Sequence, residues 1–363
     1  MPKVAVGKTT SVAIDRRRRP VFALTALFFS SLFGLALIEF LCGLVFVGQL
    51  GTGNRDLKLL GWRAKPNSTM EGVRLNSEGF TGAVLPVRRE DPEEIRILCL
   101  GGSVMFYRSM AEEIRKALQP LTERKVSVVS VGLPLHTTRS SCIKYDRYFH
   151  RHKFDYVLIY HAINDLFANH HRPEDFRSDY SHLNAWYHRG WLVDHSIAAR
   201  VIYNRVMWGR PTMPNNGIKL NQSKFAGVAS FEANMKHLVT AARRDGADPI
   251  LMTFATHIAD GLTLNALLDG QLGYVATKEH EVNGLRSWGE ADYVTEGLRR
   301  HNDIIQQIAD ERDVLLVDQQ RSLSAEITNF VDPCHFSPQG QRQFIANLVR
   351  LFEEKELLRQ DHR

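Results

Sequence analysis

The amino-acid sequence predicts an α/β fold, a three-layer sandwich with a central parallel sheet, preceded by one N-terminal transmembrane helix. Short apolar runs that end in small or polar residues alternate with segments of helical periodicity, which is the pattern of repeated βαβ units. An uncharged run that follows a basic tail predicts the membrane helix. With 363 residues the chain can hold one large α/β domain and an appendage, or two small domains.

Residues 1–20 form a basic tail that carries most of the net charge of +6. The rest of the chain is close to neutral and has no basic stripe interleaved with aromatic residues, so we expect no nucleic-acid partner. By the positive-inside rule, arginines that precede a span keep the N-terminus in the cytoplasm.

Residues 21–47 are predicted to be a transmembrane signal anchor. Val21–Ile38 contains no charged residue, and helices in a soluble core rarely run this long without a polar face. A buried core helix and a cleaved signal peptide are the alternatives, although the apolar part of a signal peptide is normally shorter. Glu39 is expected near the outer interface because a charge at mid-bilayer is costly. The chain beyond the span is therefore predicted to lie outside the cytoplasmic (inner) membrane.

Residues 48–94 are polar and rich in turn signals, which predicts an extracytoplasmic connector. We expect its Trp62 and Phe80 to dock onto the following domain. That domain, residues 95–363, holds every strand predicted for the sheet.

The predicted strands and helices alternate along residues 95–363. The strands are Ile95–Leu100, Val126–Val131, Tyr156–Tyr160, Pro249–Phe254 and Val314–Val317. The helices are Ser109–Leu118, Thr137–His152, Phe225–Asp245, Glu290–Arg312 and Pro338–Leu358.

The first predicted strand ends abruptly in Gly101-Gly102-Ser103. Glycines allow a tight turn, so Ser103 is expected at the carboxyl edge of the sheet, where open α/β sheets place their ligand sites. Taken alone, the segment also fits an ordinary strand–turn–helix connection in which the serine is the helix N-cap.

Four blocks in this order resemble the SGNH (GDSL-type) hydrolase superfamily, in particular its membrane-anchored bacterial members. They are Gly101-Gly102-Ser103, Val128–Gly132, Ala162-Ile163-Asn164-Asp165 and Asp332–His335. The resemblance covers residue 95 to the C-terminus, with a divergent middle, and implies an SGNH/flavodoxin-like fold. The family's Gly-Asp-Ser is Gly-Gly-Ser in this chain, its Gly-x-Asn-Asp begins with alanine, and valine stands at position 131, where asparagine is frequent.

The resemblance implies catalytic roles for Ser103, Asp332 and His335. His335 would be the base that removes the serine proton, and Asp332 would bond the far imidazole nitrogen. The backbone N–H groups of Ser103 and Gly132 and the side-chain amide of Asn164 would form the oxyanion hole. Taken alone, the segment from Asp332 also fits a turn with an aspartate N-cap before the last helix.

Residues 167–221 interrupt the alternation of strands and helices with an insertion rich in aromatic residues. Because it follows Asn164 closely, we predict a lid that selects substrates, with His161, Trp186 and Trp191 in contact with them. The alternative is a surface subdomain with a small core of its own. Its paired histidines do not face one point on regular structure, so we expect no metal, and no other cofactor is implied.

The four cysteines show no zinc-binding spacing. Cys142 and Cys334 both lie near predicted site loops, and an oxidising compartment would permit a bridge between them. Unpaired thiols are the favoured alternative.

Together these features predict a serine esterase that works outside the membrane through an acyl-serine intermediate. The expected substrate is a small acyl ester or an acylated glycan or lipid of the envelope, with acetyl or another short acyl group. An O-acyltransferase that modifies an exported polysaccharide and a catalytically inactive glycan-binding protein are the alternatives.

Overall fold

The computed structural model of the protein describes residues 18–46, 64, 66–169, 176–181, 196, 198–199, 202, 225–263, 266, 269–275 and 290–359. The chain divides into two compact units. One combines residues 1–49 with 190–206, and the other combines residues 50–189 with 207–363.

The first unit contains helix α1, Arg18–Phe46. Within it, Val21–Cys42 is long and apolar enough to cross a membrane, and none of this segment is buried in the protein. The Glu39 carboxylate accepts hydrogen bonds from Ser196 Oγ at 2.7 Å and from the Ala198 N–H at 3.1 Å. The helix is thus a candidate membrane span by length and composition.

The second unit is built on a six-stranded sheet and a separate two-stranded hairpin. The hairpin strands are β1 (Thr69–Met70) and β2 (Val73–Arg74). The sheet strands are β3 (Thr81–Gly82), β4 (Ile95–Gly101), β5 (Val126–Ser130), β6 (Tyr156–Tyr160), β7 (Asp248–Met252) and β8 (Leu315–Val317).

The order of the sheet is β3-β5-β4-β6-β7-β8, and all pairs are parallel except β3 with β5. Without the edge strand β3, the five parallel strands run 2-1-3-4-5 in chain order. This is the flavodoxin-like order, in which the chain reverses its direction of winding between β4 and β6. Ligands bind such sheets at the carboxyl end of that switch point.

The helices of this unit cover both faces of the sheet. Within the described residues they are α2 (Met110–Leu118), α3 (Thr138–Arg147), α4 (Val228–Arg244), α5 (Ala291–Arg312), α6 (Gln319–Leu323) and α7 (Pro338–Glu354). Apolar residues of α2 and α7 pack in one core cluster, and those of α3 and α4 pack in the other. The predicted three-layer α/β sandwich is confirmed.

Some elements differ from the sequence prediction. The predicted helix Pro338–Leu358 ends at Glu354. The predicted helix Thr137–His152 ends at Arg147, because Tyr148 leaves helical geometry at φ −131°, and a short 3-10 turn, Phe149–Arg151, follows. The connector contributes strands β1 to β3 as well as turns. Phe80 of the connector is fully buried against Phe149, with ring centroids 5.2 Å apart, whereas Trp62 lies outside the described residues.

The described part of the insertion includes residues 176–181. Its Tyr180 is fully buried and packs against Ile143 of α3, so this piece belongs to a small core. Trp186 and Trp191 lie outside the described residues, and the lid remains a prediction. All four cysteines are free, and the Cys142 thiol donates to the Asn234 carbonyl at 3.5 Å.

Candidate active site

Ser103 lies where the flavodoxin-like order places a ligand site. Strand β4 is fully buried along its length, and its last residue is Gly101. Ser103 begins a 3-10 turn, Ser103–Met105, directly after Gly102. Because β4 and its neighbour β6 flank the switch point, the serine stands at the carboxyl edge between them.

Ser103, His335 and Asp332 form a continuous chain of hydrogen bonds. His335 Nε2 lies 2.7 Å from Ser103 Oγ, and His335 Nδ1 lies 2.6 Å from Asp332 Oδ2. An ionised carboxylate only accepts hydrogen bonds, so the imidazole carries its proton on Nδ1 and Nε2 accepts from the serine hydroxyl. This is the arrangement in which an imidazole can take the serine proton.

His335 and two backbone N–H groups favour the ionised form of the Asp332 carboxylate. Its Oδ1 accepts from the N–H groups of Cys334 at 2.9 Å and His335 at 2.8 Å. Burial alone would raise the pKa of Asp332, but the charge and hydrogen bond of His335, together with these two N–H groups, lower it from 3.8 to about 2. The carboxylate is therefore ionised at neutral pH.

The donor atoms of Asp332, Cys334 and His335 lie within 4.8 Å of one another, close enough to hold a metal ion. Two features fit a hydrogen-bonded dyad better. Burial and the neighbouring Asp332 raise the pKa of the Cys334 thiol well above its usual value, whereas the thiolate is the form that binds metals. The carboxylate and the imidazole are already bonded to each other.

Asn164 enters the same edge from the end of β6. Its Nδ2 donates to the His136 carbonyl at 3.0 Å, which fixes one N–H of the amide and leaves the second as a further donor. Asn164 and Ser103 line one cleft. The following residue, Asp165, accepts from the Thr138 N–H at 3.1 Å and so ties this loop to the start of α3.

Gly132 follows β5 at the same edge. A Cβ at this position would lie 2.7 Å from the Gly102 carbonyl and equally close to Met105, so only glycine fits. Its N–H donates to Ser130 Oγ over a long 3.3 Å, and Ser130 Oγ donates to the Met105 carbonyl at 2.7 Å. An oxyanion would compete with Ser130 for this donor.

His161 lines the cleft, and its Nε2 already has a hydrogen-bond partner in the protein. Its Nε2 lies 2.8 Å from Ser141 Oγ. Burial and the nearby Lys144 lower the pKa of His161 to about 3, so the ring is neutral. Lys144 is itself fully buried, which lowers its pKa well below the usual value, and its Nζ donates to the Val131 carbonyl, just before Gly132.

The cleft beside Ser103 is small, with ≈ 220 Å³ of empty space including the part open to solvent. Its wall includes Tyr160 and Phe254, whose rings stack with centroids 4.6 Å apart. The sequence prediction missed both. The only signal that could have identified them is their position at or just past the carboxyl ends of β6 and β7.

No protein-family model matches this chain, and no curated protein sequence does. Solved structures do align with it. The acetylxylan esterase Axe2 from Geobacillus stearothermophilus aligns at 15% identity and TM-score 0.42, over 71% of this chain and 93% of Axe2. A GDSL-like lipase from Bacteroides thetaiotaomicron aligns at 10% identity and TM-score 0.41, over 75% of this chain and 93% of the lipase.

A third structure, an α/β hydrolase enzyme from the metagenome of Lake Arreo, aligns at 12% identity and TM-score 0.42, over 71% of this chain and 95% of that enzyme. Likenesses of this size carry no argument about activity.

Proposed function

We propose that this protein is a serine esterase that forms an acyl-serine intermediate at Ser103. The observation that supports the proposal most directly is the unbroken chain Ser103–His335–Asp332, which ends in a cleft shared with Asn164. The four sequence blocks that resemble the SGNH (GDSL-type) hydrolases come together at this one edge of the sheet.

In the proposed reaction, His335 Nε2 takes the hydroxyl proton as Ser103 Oγ attacks the ester carbonyl. Asp332 stabilises the imidazolium that forms. The carbonyl oxygen becomes an oxyanion that accepts from the N–H of Ser103, the Asn164 amide and Gly132. The C–O bond to the leaving group then breaks, and His335 returns its proton to that group. Water, activated by the same histidine, hydrolyses the acyl-serine.

The small cleft favours a short acyl group. Buried aromatic rings close the cleft behind Ser103, so an acetyl group fits the space better than a long chain. We propose acetyl esters, with a glycan or lipid as the alcohol part.

The N-terminal helix supports a membrane location. We propose that it is a single-pass anchor in the inner membrane, with the basic tail in the cytoplasm and the esterase unit outside. The natural substrate would then be an acylated component of the envelope.

A fluorophosphonate probe tests the nucleophile without knowledge of the substrate. Such a probe phosphonylates an activated serine as fluoride leaves. The full chain, purified in detergent, should be labelled at Ser103, as read by peptide mass spectrometry, and should hydrolyse p-nitrophenyl acetate.

Ser103→Ala should lose both the label and the hydrolysis. His335→Ala should lose nearly as much, because it removes the base. Asn164→Ala should lower kcat by roughly 10²–10³-fold with KM little changed, as one oxyanion donor does elsewhere. Asp332→Ala should fall between these variants. Wild-type hydrolysis by Ser103→Ala would show that the nucleophile is misassigned.

Adding sugar acceptors to the assay separates acyl transfer from hydrolysis.

A further inference from the structure

The aromatic ring of Tyr107 packs directly against the imidazole of His335. The two ring centroids lie 5.3 Å apart, and the ring planes are inclined by 79°. Tyr107 is half-buried and begins the 3-10 turn Tyr107–Ser109, just after Ser103–Met105. The imidazole is therefore bounded by a ring contact as well as by its hydrogen bonds to Asp332 and Ser103.

The connector holds the far end of this tyrosine. The Tyr107 hydroxyl donates a hydrogen bond to the carboxylate of Glu71, in the turn between β1 and β2. Burial, followed by the neighbouring Glu71, raises the pKa of Tyr107, so the phenol keeps its proton and remains the donor. On the domain side, Tyr107 belongs to a patch with Phe106 and Leu133, against which Val73 of the hairpin packs.

Backbone conformations that are costly for these residue types occur at both ends of the contact. Glu71 and Gly72 form a two-residue hairpin loop with φ values of 48° and 77°. Loops with positive φ at both residues favour Asn, Asp or Gly, so a glutamate at the first position is unusual. Tyr107 is followed by Arg108 and Ser109 at φ 54° and 53°.

Helix α7 holds the left-handed backbone of Arg108 and Ser109 in place. Gln341 of α7 donates from its Nε2 to the Arg108 carbonyl at 3.0 Å. Strained residues of this kind persist where the surroundings over-determine them, and they cluster at functional sites.

We propose that Glu71 and Tyr107 are positioning residues for His335: the connector hairpin, through Glu71, holds the Tyr107 ring against the imidazole and keeps Nε2 aimed at Ser103. The role given to this pair depends on the esterase function proposed above. In this proposal the connector, which follows the N-terminal helix, supports the active site directly. The pair acts on the proton transfer through His335 and needs no contact with the substrate.

The test compares kcat and KM for p-nitrophenyl acetate, and the rate constant of fluorophosphonate labelling, in the full detergent-solubilised chain. Tyr107→Phe keeps the ring and loses the bond to Glu71, and Glu71→Ala loses the same bond from the other side. Each should lower kcat about 3–10-fold with KM unchanged, and the double variant should lose no more than either one. Tyr107→Leu removes the ring and should lower kcat about 10–100-fold, since small misplacements of a catalytic group cost up to about 10²-fold.

The chain offers a matched control. Tyr148 donates a hydrogen bond to Glu78 of the connector at 2.6 Å, and its ring lies against that of His152 with centroids 5.0 Å apart. The His152 carbonyl accepts from Arg96 near the start of β4, at the opposite end of the sheet from Ser103. Tyr148→Phe removes a connector bond of the same kind and should leave kcat and the labelling rate unchanged. A fall in kcat equal to that of Tyr107→Phe would mean that connector docking in general, rather than the contact with His335, is responsible.

A double-mutant cycle of Tyr107→Leu with His335→Ala tests whether Tyr107 acts by positioning the imidazole or by stabilising the site in general. If Tyr107 acts through the imidazole, Tyr107→Leu should leave unchanged the slow hydrolysis that His335→Ala retains above Ser103→Ala, whereas general loosening of the site would lower that residual rate further. Tyr107 and Glu71 variants with wild-type kcat and labelling rate would overturn the inference while Ser103→Ala stays inactive. An active Ser103→Ala would instead overturn the proposed function.

Discussion

Gly102, which stands where the resembling family has aspartate, leaves room for the Asn164 amide beside Ser103. A Cβ built at Gly102 would lie 2.5 Å from Asn164 Nδ2 and 3.3 Å from the His136 carbonyl. Carbon atoms do not approach nitrogen this closely without a bond, so any side chain at position 102 would displace the amide. The second glycine thus keeps the proposed oxyanion donor beside Ser103.

Gly102→Ala should therefore act through Asn164. We expect kcat for p-nitrophenyl acetate to fall by about 10–100-fold, within the loss expected for removing the amide donor altogether. The thermal midpoint should change little, because the amide can swing away at small cost to the packing. In an Asn164→Ala background the same substitution should add almost no loss. A full additional loss in that background would show that position 102 acts by another route.

Strand β4 has the sequence pattern of an apolar core strand, but its second residue, Arg96, is a fully buried arginine. The Arg96 side chain donates to Glu94 Oε2 at 2.7 Å and to the carbonyls of Pro86 and His152. Ser127 and Lys125 also bond Glu94. Alone, burial would raise the pKa of Glu94, but the bonds from Lys125, Ser127 and Arg96 lower it from 4.5 to about 2.

From the ion pair of Glu94 with Arg96 we predict a contribution to folding stability that is lost in acid. The folded-state pKa of Glu94 is depressed, so its stabilisation is complete above pH 4.5 and disappears as the pH falls towards 2. The shift corresponds to about 3 kcal/mol at pH 7. Glu94→Gln should lower the free energy of unfolding by about this amount at pH 7 in urea titrations, and by clearly less at pH 3.

Glu296 supplies the comparison for Glu94. Its pKa is also lowered to about 2, by hydrogen bonds from Arg299 and Arg300, but these partners lie on the exposed face of α5. Exposed ion pairs contribute little because water screens them. Glu296→Gln should leave the unfolding free energy unchanged within error. An equal loss for both variants would contradict the role given to burial.

At the scale of the whole molecule, the described connector residues make specific contacts with the rest of the second unit. Strand β3 extends the sheet beside β5, Phe80 fills the core, and Arg89 bonds Asp155 at 2.9 Å. The connector is thus part of the folded unit, and the proposed anchor directly precedes it.

The proposed topology is tested by reporter fusions. Alkaline phosphatase fused after residue 60 should be active, because it folds only outside the cytoplasm, and a cytoplasmic reporter fused there should be silent. The opposite pattern would place the esterase unit in the cytoplasm. The matched control is the same pair of reporters fused before the span, after residue 17, where the pattern should reverse.

The sequence by itself determined the α/β class, the five parallel strands to within two residues at each end, and the residues that meet at one edge. This was possible because apolar runs are local signals. In addition, the carboxyl ends of parallel strands converge whatever the loops do, so Ser103, Gly132 and Asn164 had to come near one another.

Only the tertiary structure decided which neighbours these residues have. The contact of Tyr107 with His335, the bond from Tyr107 to Glu71, the burial of Arg96 and the closeness of Gly102 to Asn164 all join groups whose spacing in the chain carries no periodic signal. Each depends on how loops and the connector pack after the sheet has formed. Packing is a property of shape in three dimensions, and a one-dimensional pattern of polar and apolar residues does not contain it.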